Sequence, residues 1–184
     1  MSGYEMSGIL PNAQSSITLQ LEQHHSDCYG WALYCCNRDR EKASEILQTA
    51  YLKILEKQHT FRGASTFKTW IFIVIKNTAL DAAREQRKSE KKIVDGFQFP
   101  NAAYESDSES RLDKKQQKAF FLDALRQLSE RQRQIMQLVF YHDFSINHAA
   151  EVLHISAGSV RQHYHRAKKV LAEWFRKNGV EEFK

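Results

Sequence analysis

Apolar side chains recur along this chain at helical spacing, in stripes separated by short polar breaks, and the pattern predicts an all-α protein. The clearest stripe is Ala43, Ile46, Leu47, Ala50, Tyr51, Ile54 and Leu55, which follows the i, i+3, i+4, i+7 rule without a miss, with Asp39 as its N-cap. Ahead of it, Tyr29, Ala32, Leu33 and Cys36 share one side of a helix predicted over about Leu19 to Cys36; residues 1–18 are small, polar and aperiodic and read as a flexible N-terminus. A third helix opens near Ser65 or Thr66 with Phe67, Trp70, Ile71, Val74 and Ile75 on its apolar side and runs to about Lys92. The run Trp70 to Ile75, rich in β-branched residues, could be a buried strand by itself. Its spacing continues into Ala79, Ala82 and Ala83, and no second strand is available to pair with it, so helix is the better reading.

The periodicity stops at residues 95–116, where glycine, proline, serine and acid alternate without an apolar stripe; this segment reads as a flexible acidic linker between two small helical domains, 19–94 and 117–178. Beyond it Phe120, Phe121, Ala124, Leu125 and Leu128 form another stripe, and Ser129 with Gln132 makes a capping box ahead of Ile135, Met136, Leu138 and Val139. From Phe144 to Leu171 the chain then reads as two helices broken by a tight turn. Ser145 caps the first, Ala149, Ala150, Val152 and Leu153 are its buried side, Gly158 is expected to permit the turn, and Ile155 to plug the corner. Val160, Tyr164, Ala167 and Leu171 form the inner face of the second helix and Trp174 and Phe175 extend it until Gly179. Arg161, Gln162, His163, His165, Arg166, Lys168 and Lys169 are left mostly outside. A helix-turn-helix with a basic outer face can reach phosphates and base edges, although many helical bundles also contain a hairpin with a solvated charged face.

Composition supports the class. Seven glycines and two prolines in 184 residues leave little turn chemistry for an all-β fold. The net charge of +5 is modest, but its distribution is not: Arg62, Lys68, Lys76, Arg84, Arg87, Lys88, Lys91 and Lys92 outnumber the acids of their segment, as do the basic residues of 161–177. Two basic surfaces imply two places for a polyanion. Cys28, Cys35 and Cys36 lack CxxC spacing, so neither a disulfide framework nor a zinc cassette is indicated, and no metal or cofactor is expected; a reducing cytoplasm fits. His24 and His25 beside Cys28 lack a second ligand cluster. No signal peptide is visible, and the longest apolar run, Trp70 to Ile75, falls far short of the roughly 20 residues of a membrane span.

Read together, the halves resemble a bacterial sigma factor of the small extracytoplasmic-function type, which keeps only regions 2 and 4. EKASEILQTAYLKIL is similar to region 2.1 to 2.2, FRGASTFKTWIFIVIKNTALDAAREQRK to region 2.3 to 2.4, and LDALRQLSERQRQIMQLVFYHDFSINHAAEVLHISAGSVRQHYHRAKKVL to region 4. The resemblance implies a helical protein that binds core RNA polymerase through its clamp coiled coil and flap and directs it to promoter −10 and −35 elements. It places polymerase contact on Glu45, Ile46, Gln48, Thr49 and Lys53. It places the opened −10 strand on Phe61, Arg62, Gly63, Ser65, Lys68, Lys76, Asn77, Arg84 and Arg87, and duplex −35 DNA on Ser159, Arg161, Gln162, His163, His165, Arg166 and Lys169. Phe67 and Trp70 are expected to be structural more often than stacking platforms. An anti-sigma protein clamped on or between the domains is implied as the regulator. The chain departs from the family pattern at His148, Ala149 and Ala150, where Glu-Ile-Ala is common, and at Thr49, where an acid is usual.

No nucleophile triad, phosphate-binding glycine loop or paired carboxylates in a recognisable frame appears, so the sequence does not read as an enzyme. The rival reading is a helix-turn-helix regulator that binds duplex operators as a symmetric dimer without polymerase. FRGASTFKTW argues against it, since a sensing module has no need of a basic single-strand surface. A purely structural helical adaptor explains neither basic patch.

Overall fold

The computed structural model describes residues 13–56, 61, 63, 65–89 and 120–179, and every regular element among them is helical. The N-terminal half consists of α1 (Ala13–Gln23), α2 (His25–Cys35), α3 (Arg40–Glu56) and α4 (Phe67–Ser89). The helix predicted over Leu19 to Cys36 is therefore two, and the first of them starts inside the segment read as aperiodic. The break falls at His24, whose φ of −99° and ψ of 5° leave the α region while the backbone bonds across it persist. No glycine or proline marks the kink. After α2 the chain turns through Asn37 and Arg38, both at positive φ, with the Arg38 N–H donating to Leu33 O at 2.7 Å, and Asp39 then accepts from the Lys42 N–H at the start of α3.

In the C-terminal half residues 120–126 are helical (α5). Next come α6 (Glu130–Met136), which widens into a π-helical turn over Gln137–Tyr141, α7 (Ile146–Leu153) and α8 (Ala157–Lys177). The capping box of Ser129 and Gln132 is formed in both directions, and Ser145 and Ser156 cap α7 and α8 by accepting from the N–H groups of His148 and Ser159. The corner of the helix-turn-helix is made differently from the sequence reading. His154, at φ 53° and ψ 48°, supplies the left-handed residue, and Gly158 lies inside the first turn of α8. Gly179 does end α8, at φ 82°.

Trp31 anchors the N-terminal bundle: it is fully buried, stacks on Phe72 of α4 with centroids 5.5 Å apart, and donates its indole N–H to Phe72 O at 3.1 Å. In the C-terminal half Ala124, Leu128 and Met136 pack against Ala167, Leu171 and Phe175 of α8. The linker expected at 95–116 lies outside the described residues. The two halves nevertheless meet directly, because α4 packs along α7, and one apolar core runs from Trp31, Phe72 and Ile75 into Ile135, Leu138, Phe144, Val152 and Val160.

Candidate nucleic-acid and polymerase interface

Three surfaces hold the residues singled out in the sequence. On α3, Glu45, Gln48 and Thr49 are exposed along one face. Ile46 is not on it: at 8% exposure it belongs to the core, as its place in the apolar stripe requires. Lys53 turns inward to donate to Thr78 Oγ1 at 3.3 Å. The outer face gains a residue the sequence reading missed, Leu52, which is 61% exposed. The signal was available, since Leu52 is the one leucine of this helix outside the Ala43 to Leu55 stripe.

The second surface is the entry to α4. Phe61 is half-buried, edge-on to Phe67 at 5.4 Å and tilted on Trp70 at 5.2 Å; Phe67 is buried and Trp70 only partly covered. Gly63 sits at φ 69° with open space where a Cβ would be, so its requirement is conformational and not steric. Ser65 is half-buried, and Arg62 lies outside the described residues. Thr66 begins the helix by accepting from the Thr69 N–H. Along α4, Asn77 and Arg84 are exposed, Arg84 pairing with Asp81 at 3.4 Å, and Arg87 is partly covered.

Lys68 and Lys76 behave differently. Lys68 Nζ stands 2.7 Å from Asp27 Oδ2 and donates at 2.9 Å to the carbonyl of His142, beyond the π-helical turn. Lys76 Nζ donates at 3.0 Å to the carbonyl of Val152, near the C-terminus of α7. Burial, aided by nearby Arg131 and opposed by Cys35, lowers the Lys76 pKa. Both lysines satisfy carbonyls that a helix end leaves without an intrahelical donor, at the pole where positive charge is favoured.

His142 is 1% exposed, edge-on to Phe72 at 4.9 Å and to Trp31 at 6.2 Å. Its Nε2 lies 3.4 Å from the Gln137 amide nitrogen, a pairing that assigns the proton to Nδ1, 3.5 Å from Asp27 Oδ1. That approach brings charge close without the geometry of a hydrogen bond, so Nδ1 has no hydrogen-bond partner. Burial, with a contribution from Lys68, pushes the His142 pKa down to about 4 against the opposing pull of Asp27 and Asp143. An open cavity of about 310 Å³ adjoins it, lined by His24, Thr66, Lys68, Phe144 and His148.

The third surface is α8. Val160, Ala167 and Leu171 are buried and Tyr164 half-buried, whereas Arg161, Gln162, His165, Arg166 and Lys169 are exposed and Ser159 and His163 partly so. Lys168 lies over the Tyr164 ring at 5.1 Å. The helix therefore packs by one face and offers a polar, cationic one, as a groove-reading helix must. The cysteines have no such outward role: burial raises Cys28 to about 12 and Cys36 to about 11 and holds Cys35 well above its ordinary value, so all three are neutral thiols. His25 Nδ1 faces the Tyr51 hydroxyl at 3.2 Å.

Residues 21–89 match the protein-family description Sigma-70 region 2, and residues 121–171 match Sigma-70, region 4. The chain belongs to the sigma-70 family. This sigma factor is 26% identical over 162 residues to the ECF RNA polymerase sigma factor SigX of Bacillus subtilis (strain 168), covering 86% of this chain and 82% of that one. It is 27% identical over 152 residues to the RNA polymerase sigma factor SigV of the same organism, covering 82% and 86%. Among solved structures it resembles the sigma factor RpoE of Bartonella quintana, crystallised with the anti-sigma factor NepR, with a TM-score of 0.67 at 22% identity over 91% of this chain and 99% of that one. CnrH in complex with the cytosolic domain of CnrY gives a TM-score of 0.61 at 16% identity, over 91% and 94%. The relatives place the sigma factor in the extracytoplasmic-function group, which is not an enzyme class, and the region 2 match disfavours an operator-binding regulator with an unrelated N-terminal module. Among the described residues no helix is long and apolar enough to cross a membrane.

Proposed function

We propose that this sigma factor divides promoter recognition among the three surfaces. The outer face of α3, Glu45, Gln48, Thr49 and Leu52, docks on the clamp coiled coil of core polymerase, and the C-terminal half reaches the flap. The entry to α4, with Asn77, Arg84 and Arg87 along the helix, holds the opened −10 strand: aromatic and polar groups suit unstacked bases, and cations follow the backbone. The helix α8 enters the major groove of the duplex −35 element. Arg161 and Gln162, near its start, read base edges, while Arg166 and Lys169 hold phosphates. Polymerisation chemistry belongs to the partner, and an anti-sigma protein of the kind named for the solved relatives regulates access.

The observation that carries this reading is the division of α8 into a buried face and an exposed cationic one, joined in one chain to the region 2 helix. The work is expected in the cytoplasm, where core polymerase and promoters are. Run-off transcription from a genomic promoter pool, with core polymerase and with or without this protein, tests it. Start sites that depend on the protein are expected; no dependent start and no complex with core would refute the reading.

A further inference from the structure

Among the described residues the C-terminal half leaves one aromatic face partly open. Phe120 and Phe121 of α5 and Trp174 of α8 surround Phe175, with centroids 5.9, 6.0 and 5.4 Å from it, and Phe120 lies 4.7 Å from Trp174. Phe175 itself is 4% exposed, but Phe121 is 41% exposed and Phe120 and Trp174 are only half-buried. Beside this face α8 ends in a particular way. Gly179, at φ 82°, donates its N–H to Arg176 O at 3.3 Å, the bond across three residues that marks a Schellman ending. Such an ending turns the following residue back onto the helix, where its side chain meets those of the last turn and a half, here Phe175 and Trp174.

We propose that the chain past Gly179 covers this face: residues 180–184, Val-Glu-Glu-Phe-Lys, fold back so that Val180 packs on Phe175 and Trp174, and Phe183 on Phe120 and Phe121. The two apolar residues stand three apart, a spacing that a single turn brings to one side. Three residues beyond Val180 the chain reaches up to about 10 Å, further than any ring centroid of the face lies from Phe175. Glu181 and Glu182, between them, meet the charges of Arg176 and Lys177, exposed in the last turn of α8. A second copy is a poorer occupant, because one exposed ring and two half-exposed ones offer far less than the roughly 800 Å² per partner of a stable dimer. The consequence is a clip. Residues 180–184 tie α8, the last helix of the C-terminal half, to α5, its first, at the point where the chain arrives from the N-terminal half.

The test uses the full chain. With p-benzoylphenylalanine in place of Phe183, irradiation is expected to crosslink that position to peptides of 120–126 or 170–177 within one chain, at a yield that does not change with protein concentration. Hydrogen exchange then compares wild type with Val180→Ser, Phe183→Ser and a chain truncated after Gly179. Amides of α5 should exchange about fivefold faster in all three, with α7 unchanged and helicity by circular dichroism preserved. Crosslinks to neither stretch, or equal α5 exchange in wild type and variants, would overturn the clip. Crosslinks only between two copies, rising with concentration, would overturn it too and give the face to a second copy. Should a variant lose helicity throughout, the crosslink in the otherwise unaltered chain still decides.

Discussion

Lys76 donates to the carbonyl of Val152 at 3.0 Å, so a side chain of the region 2 helix completes the C-terminal end of the first helix of the helix-turn-helix. The charge sits at the negative pole of α7 in a partly desolvated place, where such contacts are worth more than at the surface. Lys76→Ala is expected to cost about 1 kcal/mol of stability, and Lys76→Arg less, because a guanidinium can still reach the carbonyl. Urea denaturation followed by circular dichroism measures both. Equal stability of wild type and Lys76→Ala would show that the bond contributes nothing.

Packing of the two halves at their seam should weaken in mild acid. The ordinary histidine value is 6.5 and burial holds His142 near 4, so the packed seam binds fewer protons than a separated one between those values. His142 therefore contributes fully to the packing of the seam above about pH 6.5, and the contribution fades as pH falls toward 4. The groups facing it are Asp27 from α2, Lys68 from α4 and Asp143 beside it in the turn, with His24 and His148 across the cavity. Asp27 also has a lowered pKa, through its bond to Lys68 working against burial, but it loses its charge only below the histidine window. The ratio of packed to separated halves is expected to drop about tenfold between pH 7.5 and about pH 5.5, read as energy transfer between dyes carried at the exposed positions Ser44 and Ala172 of the full chain. His142→Gln should flatten that profile.

Leu52 gives the α3 face an apolar centre flanked by Gln48 and Thr49. Replacing it with arginine should lower affinity for core polymerase about tenfold or more and leave folding unchanged, since an exposed position carries little packing. Competition for core by native gel or by calibrated pull-down separates the two effects.

Arg161→Ala and Asn77→Ala should act on different elements. The first is expected to cost about 1–3 kcal/mol of −35 discrimination and to leave opened −10 binding largely intact; the second should do the reverse. Footprinting on promoters with either element scrambled reads both. Equal effects of each change on each element would count against the assignment of the surfaces.

Gly30 faces the seam. A Cβ there would meet His142 Cε1 at 3.5 Å and Tyr141 Cε1 at 3.7 Å, ordinary contact distances, so alanine fits and should add about 0.5–1 kcal/mol through helix propensity. A leucine would not fit. Gly30→Ala should therefore raise the melting temperature with energy transfer unchanged, and Gly30→Leu should lower energy transfer.

What the sequence made legible was whatever depends on neighbours in the chain. The stripe from Ala43 to Leu55, the Ser129 and Gln132 capping box and the Ser145 cap are local devices, and each forms as read. The kink at His24 and the left-handed corner at His154 were not legible, because histidine marks a turn less plainly than glycine or proline, although local backbone hydrogen bonds run through both places. Ile46 was legible as core, because it lies in the apolar stripe from Ala43 to Leu55, and a side chain buried there is not offered to a partner. The seam between the halves was beyond reach: Asp27, Lys68 and His142 are far apart in the chain, and a basic helix reads alike whether its lysines meet phosphates or carbonyls.

Trp31 of α2, fully buried against α4, lies 6.2 Å edge-on from the His142 ring. An imidazolium quenches indole emission far more than a neutral imidazole, and a wet indole emits to the red of a buried one. The protein thus contains an intrinsic optical gauge of its own seam, legible without dyes once Trp70 and Trp174, both only partly covered, are replaced by phenylalanine.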